Sequence, residues 1–121
     1  MYNILLKETD MMAESHFPVI ALINEAFNAD PVEFVNNLAD GVGSGYNYAS
    51  CSFWEELDDY DKSSIDKFDG IMVSTEDGDE VVVSINDFIH YLEIACERLA
   101  SNGTQQHRAL KTIIGKINNS N

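Results

Sequence analysis

Seven carboxylates and two lysines fall within the seventeen residues WEELDDYDKSSIDKFDG, from Trp54 to Gly70. Carboxylates at this density can ligate a hard cation, act as general acid and base, or dock a basic partner; they can also simply solvate a loop. Starting a calcium loop at Asp59 puts Asp61 and Ser63 at ligand positions, but Ser64 stands where the sharp turn needs Gly, and Gly70 where a bidentate Glu should close the site. No metal site is therefore assigned. Catalysis needs two carboxylates in different environments, and nothing in the sequence sets two of these apart. Trp54 and Tyr60 separate docking from mere solvation, because interfaces use rigid aromatic anchors and a solubilising charge run does not need them. A lone Trp is equally at home in a core.

The other reactive residues form no constellation. GVGSG at residues 41–45 lacks the following GK[ST] and the preceding strand that a phosphate loop requires. His90, Glu93 and Glu97 share one helix face at a spacing that suits a metal, but that face lies opposite the Phe88, Leu92 and Cys96 stripe and reads as wet. His16 and His107 have no partner in the sequence, and Cys51 has no activating base. No catalytic residue, cofactor or metal ligand is assigned.

The elements that carry the acidic run read as α+β. Phe17, Ile20, Ile23 and Phe27 recur at helical spacing over residues 15–29, with Pro18 at the start. Asp30-Pro31-Val32-Glu33 opens a second helix with a capping-box pattern, and Gly41 ends it. Residues 46–53 alternate as a strand, Tyr46 and Tyr48 on one face, Ala49, Cys51 and Phe53 on the other. The acidic run itself reads as an irregular loop with one helical turn. Two β-rich runs flank Asp77-Gly78, a pair that favours a two-residue type I′ turn and would set Val73 opposite Val82. A helix follows, capped by Ser84 or Asn86 and ended by Gly103, and a last one runs from Thr104 to about Ile117. The expectation is a single domain over residues 1–121: a small antiparallel sheet, made of a hairpin at about 70–85 plus a third strand at about 46–53, packed by about four helices.

Charge bounds the partner. The chain has 21 acidic and 7 basic residues, net −14, and this field repels phosphates, so nucleic acid and anionic membranes are poor partners and a basic protein a good one. Residues 1–97 hold every acid and three bases, whereas Arg98, Arg108, Lys111 and Lys116 give the rest a charge of +4. Two cysteines in a chain that is 45% hydrophobic read as small buried residues of a reduced, cytoplasmic protein. The N-terminal apolar run, Ile4 to Leu6, is too short for a signal peptide or a membrane span.

NNLADGVG at 36–43, ASCSFWEELDD at 49–59, FDGIMVS at 68–74 and VVVSINDFIHYLEIACERLA at 81–100 resemble the immunity proteins of bacterial contact-dependent growth inhibition (CDI) systems, specifically the ribonuclease toxin immunity proteins. The resemblance implies a cytoplasmic, non-enzymatic protein that binds the C-terminal nuclease domain of a delivered toxin and blocks its active site or RNA path. Charge and expected exposure nominate Glu55, Glu56, Asp58, Asp59, Tyr60, Asp61 and Asp66 as contacts, with Glu76, Asp77, Asp79 and Glu80 on the hairpin as a second patch. Reversing the charge of Glu55, Glu56, Asp58 and Asp59 together is expected to leave the fold intact. The competing expectation is an acidic module for calcium or another basic protein, unconnected with toxins.

Overall fold

A computed structural model describes residues 4–100 and 106–119. Its order is α1 (Phe17–Ala29), α2 (Pro31–Ala39), β1 (Ala49–Phe53), α3 (Asp59–Ser64), β2 (Ile71–Thr75), β3 (Glu80–Val83), α4 (Ile85–Ala100) and α5 (Gln106–Asn119). The strands form one antiparallel sheet in the order β1-β2-β3. This is the expected α+β architecture, with α3 as an additional short helix.

The two-residue side-chain period decides which sheet face is covered. Ala49 and Cys51 of β1, Ile71, Val73 and Thr75 of β2, and Val83 of β3 are buried. Across that face lies α1, whose Val19, Leu22, Ile23 and Ala26 are fully enclosed. Phe34 of α2 forms a hub, its ring 6.1–6.4 Å from those of Phe27, Tyr46 and Phe88. Behind it, Leu110, Ile113, Ile114 and Ile117 of α5 are buried as α5 packs on α4 and α2. Each enclosed Leu, Ile or Phe contributes about 1.5–3 kcal/mol relative to exposure.

Several sequence expectations shift by a residue or two, each for a local reason. A 3-10 turn over Glu14–His16 precedes α1, so Ser15 sits inside that turn and His16 is the cap position. Asp30 caps α2 by accepting from the Glu33 amide at 3.1 Å, but its own amide already donates to Ala26 at the end of α1. The strand starts at Ala49 rather than residue 46, because the Tyr46 amide turns back to the Ala49 carbonyl and the Tyr46 ring packs on Phe34. Ser84 is the cap of α4, its hydroxyl accepting from the Asp87 amide at 3.0 Å. Gly103 and Thr104, the expected helix boundaries, lie outside the described residues.

The hairpin register is corrected as well. Met72 pairs with Val82 and Val73 with Val81, and Thr75 donates to Asp79 at 2.9 Å, leaving a three-residue loop, Glu76-Asp77-Gly78. Gly78 takes φ +93°, the left-handed residue that such a loop requires. A two-residue turn would slip the pairing by one and bring Val82 to the core face, whereas the observed register gives the core Val83.

Side chains on α1 anchor both flanking segments. Asn24, buried, accepts from the amides of Leu5 and Leu6 at 2.9 Å each and donates to the Leu6 carbonyl at 3.0 Å. Glu25 accepts from the amides of Tyr48 and Ala49, the latter at 2.8 Å, and fixes the entry to β1. His16, without a partner in the sequence, meets the hydroxyl of fully buried Tyr91 at 2.8 Å.

Candidate functional site

The acidic run folds against the sheet face that α1 leaves open. Trp54, Glu55 and Glu56 form a 3-10 turn, and α3 follows. Trp54 is half-buried: its ring stands edge-on to Phe68 at 5.5 Å and carries the Lys62 ammonium 6.0 Å from its centroid. One aromatic side chain thus holds both ends of the run, from α3 to the approach to β2. Gly70 closes it at φ +95°, where a Cβ would fall 2.2 Å from the Val83 carbonyl oxygen. That close approach, rather than cation ligation, explains a residue without a side chain here.

All eleven nominated residues are exposed, but they differ in what else they do. Glu56 accepts from the amides of Gly43 at 2.9 Å and Phe53 at 2.8 Å, tying the glycine-rich turn to the end of β1. Asp58 caps α3 by accepting from the Asp61 amide at 2.8 Å. Asp77 accepts from the Tyr48 hydroxyl at 2.7 Å, and the neighbouring carboxylate pushes that phenol above its usual range. Charge reversal at Glu56 and Asp58 therefore removes backbone hydrogen bonds along with charge, contrary to the expectation that exposure alone makes these positions neutral to folding.

Asp61, Asp66 and Glu80 share one depression although they belong to the two separate patches. Its volume is about 520 Å³, and its other walls are Leu57, Ile65, Lys67, Phe68, Met72 and Val82. Ile65 and Val82 are 43% and 44% exposed. Glu55 opens instead on a neighbouring depression with Trp54, Phe68 and Ile85. Asp59 and Tyr60 stand on α3, where Tyr60 is 78% exposed, and Glu76 and Asp79 stand at the hairpin tip.

The apolar floor was missed by charge-based reasoning. Its signal was Val81-Val82-Val83, since three consecutive apolar residues on a strand covered on one side leave at least one on the open face.

Asp59, Asp61 and Ser63 alternate on a helix, where residues two apart point about 200° apart and cannot converge on an ion. His90, Glu93 and Glu97 are exposed, and Glu97 pairs with Lys111 at 2.8 Å. Among the described residues no group of three His, Cys, Asp or Glu is arranged to hold a metal. Both cysteines are buried; burial pushes the Cys51 thiol up to about 11 and raises Cys96 also, the opposite of nucleophile activation. No described helix is long and apolar enough to cross a membrane.

No curated protein matches the sequence. The pattern of one family, described as CDI immunity protein, matches residues 12–114, which include the sheet, the acidic run and α5 as far as Ile114. By that match the chain belongs to the family of CDI immunity proteins, whose members each answer a cognate toxin.

Proposed function

We propose that this protein neutralises the C-terminal ribonuclease domain of a CDI toxin in the cytoplasm, as a stoichiometric inhibitor without catalysis of its own. It binds the basic surface with which the nuclease attracts RNA and so blocks the active site or the path to it. The observation that carries this reading is the exposed acidic face formed by α3 and the hairpin, in a family defined by toxin immunity. A ribonuclease must present positive potential to a polyanion, and an acidic face of this kind complements the same surface. The resemblance of ASCSFWEELDD and VVVSINDFIHYLEIACERLA to ribonuclease toxin immunity proteins supplies the partner class, while the net charge of −14 supplies only its sign.

Co-expression tests the reading. The toxin domain encoded immediately upstream is expected to kill cells alone, to degrade RNA, and to do neither when this protein is present. Continued killing in its presence would sink the immunity reading. Protection against a toxin that degrades DNA and leaves RNA intact would keep immunity and remove the ribonuclease.

A further inference from the structure

The depression between α3 and the outer face of β2 and β3 combines three properties that together specify what enters it. Its floor is apolar and open: Ile65 and Val82 keep more than two fifths of their surface in water, and Met72, paired with Val82 across the sheet, lines the same depression. A volume of about 520 Å³ is within the ~300–1,000 Å³ range of sites that enclose a ligand group. Around the floor stand Asp61, Asp66 and Glu80 against Lys67 alone. Among the described residues no cation lies in ion-pair contact with those three carboxylates.

These properties exclude most occupants. A neutral apolar group would cover the floor but strip water from three unpaired carboxylates. Phosphate or nucleic acid would be repelled. A calcium ion needs six to eight oxygens converging on one point, and among the described residues no three acids are placed to hold a metal ion. A long cationic side chain satisfies both parts, since Lys and Arg lay an apolar stem along a hydrophobic surface while the charged head stays among acceptors.

We infer that this cleft receives an arginine or lysine side chain of the toxin domain, its aliphatic stem on Ile65, Met72 and Val82 and its charged head among Asp61, Asp66 and Glu80. This rests on the toxin-binding reading above and adds which part of the acidic face grips rather than steers. The rest of the acidic face attracts the nuclease; the cleft retains it. Loss of a desolvated contact acts on dissociation, whereas loss of a peripheral charge acts on association.

The test is the kinetics of binding between the purified protein and the purified toxin domain, measured by biolayer interferometry. Val82→Lys inserts a cation into the cleft from an outward position on an edge strand, where Lys is well tolerated. It is expected to speed dissociation at least tenfold with an unchanged circular dichroism spectrum. Should that variant fail to fold, Ile65→Lys, which lines the same cleft from the acidic run, carries the same expectation. The triple variant Asp61→Asn, Asp66→Asn, Glu80→Gln is expected to match that loss, which identifies the occupant as a cation. Loss with Val82→Lys but none with the triple variant would overturn it in favour of an apolar occupant. Normal dissociation in all of them, with wild-type binding intact, would overturn the cleft and leave toxin binding standing. Absence of any wild-type binding would overturn both.

Discussion

Arg98 reaches from α4 to the N-terminal segment, where one guanidinium nitrogen donates at 2.6 Å to both the Leu5 carbonyl and Asp10 and the other donates to Asp10 at 2.8 Å. The guanidinium bonded to Asp10 holds its carboxyl down at about 2, well below the ordinary 3.8. Because the folded value lies below the unfolded one, the pair stabilises the fold fully above pH 4, and that contribution is lost as pH falls through about 2. The stability difference between wild type and Asp10→Asn is therefore expected to be largest near pH 5 and to shrink towards pH 2, in urea titrations across that range. Comparing the pair cancels the effect of the other acids, whose protonation relieves repulsion in both proteins. A difference that stayed constant with pH would show that Asp10 acts by shape alone. Nothing in the sequence announced this pair. Arg98 follows the last acid and reads as part of a basic tail, and its partner lies 88 residues away. Asn24 was equally hidden, because one amide side chain on an apolar helix face gives no sign that it will serve three backbone groups of another segment.

Elements were legible where pattern and local chemistry agreed, as in α1, α2 and α4, whose apolar stripes and start signals coincide. They were less so where a single bond outweighed propensity. Asp77-Gly78 is a sound hairpin signal, yet burial of Val83 selected a loop one residue longer than the dipeptide prefers. In the acidic run, Leu57, Ile65 and Phe68 are too sparse for an amphipathic pattern, so α3 depends on its cap instead. Asp58 therefore has two separable roles. Asp58→Ala frees the Asp61 amide and is expected to cost α3 about 1 kcal/mol, whereas Asp58→Asn keeps the acceptor and removes only the charge. Amide hydrogen exchange over residues 61–64 should quicken in the Ala variant and hold in the Asn variant, with the Tm of both near wild type because α3 lies outside the core. Equal exchange in the two variants would mean that something other than the cap holds the helix.

For the whole molecule, the sheet separates the helical layer from the acidic run. Helices α1, α2, α4 and α5 lie to one side of it, and the acidic run lies against the other. The bases after residue 97 belong to the helical side, where Arg98 and Lys111 pair with Asp10 and Glu97 and so tie the tail to the acidic body. Sequence charge counts could show the excess of acid but not its placement, because placement follows from which strand residues the register turns outward. If the cleft grips the toxin as proposed, acids that look alike in the sequence divide the labour. Glu76 and Asp79, at the hairpin tip beyond the cleft, should contribute only long-range attraction. Neutralising both, as Glu76→Gln with Asp79→Asn, is expected to slow association with the toxin domain several-fold at low salt and to leave dissociation unchanged. Raising ionic strength from about 0.01 M to about 1 M shortens the screening length from ~30 Å to ~3 Å and should erase the difference between the double variant and wild type. Stopped-flow association rates across that salt series provide the measurement. If the two proteins still differed at high salt, the hairpin tip would be a contact surface and the grip would extend beyond the cleft.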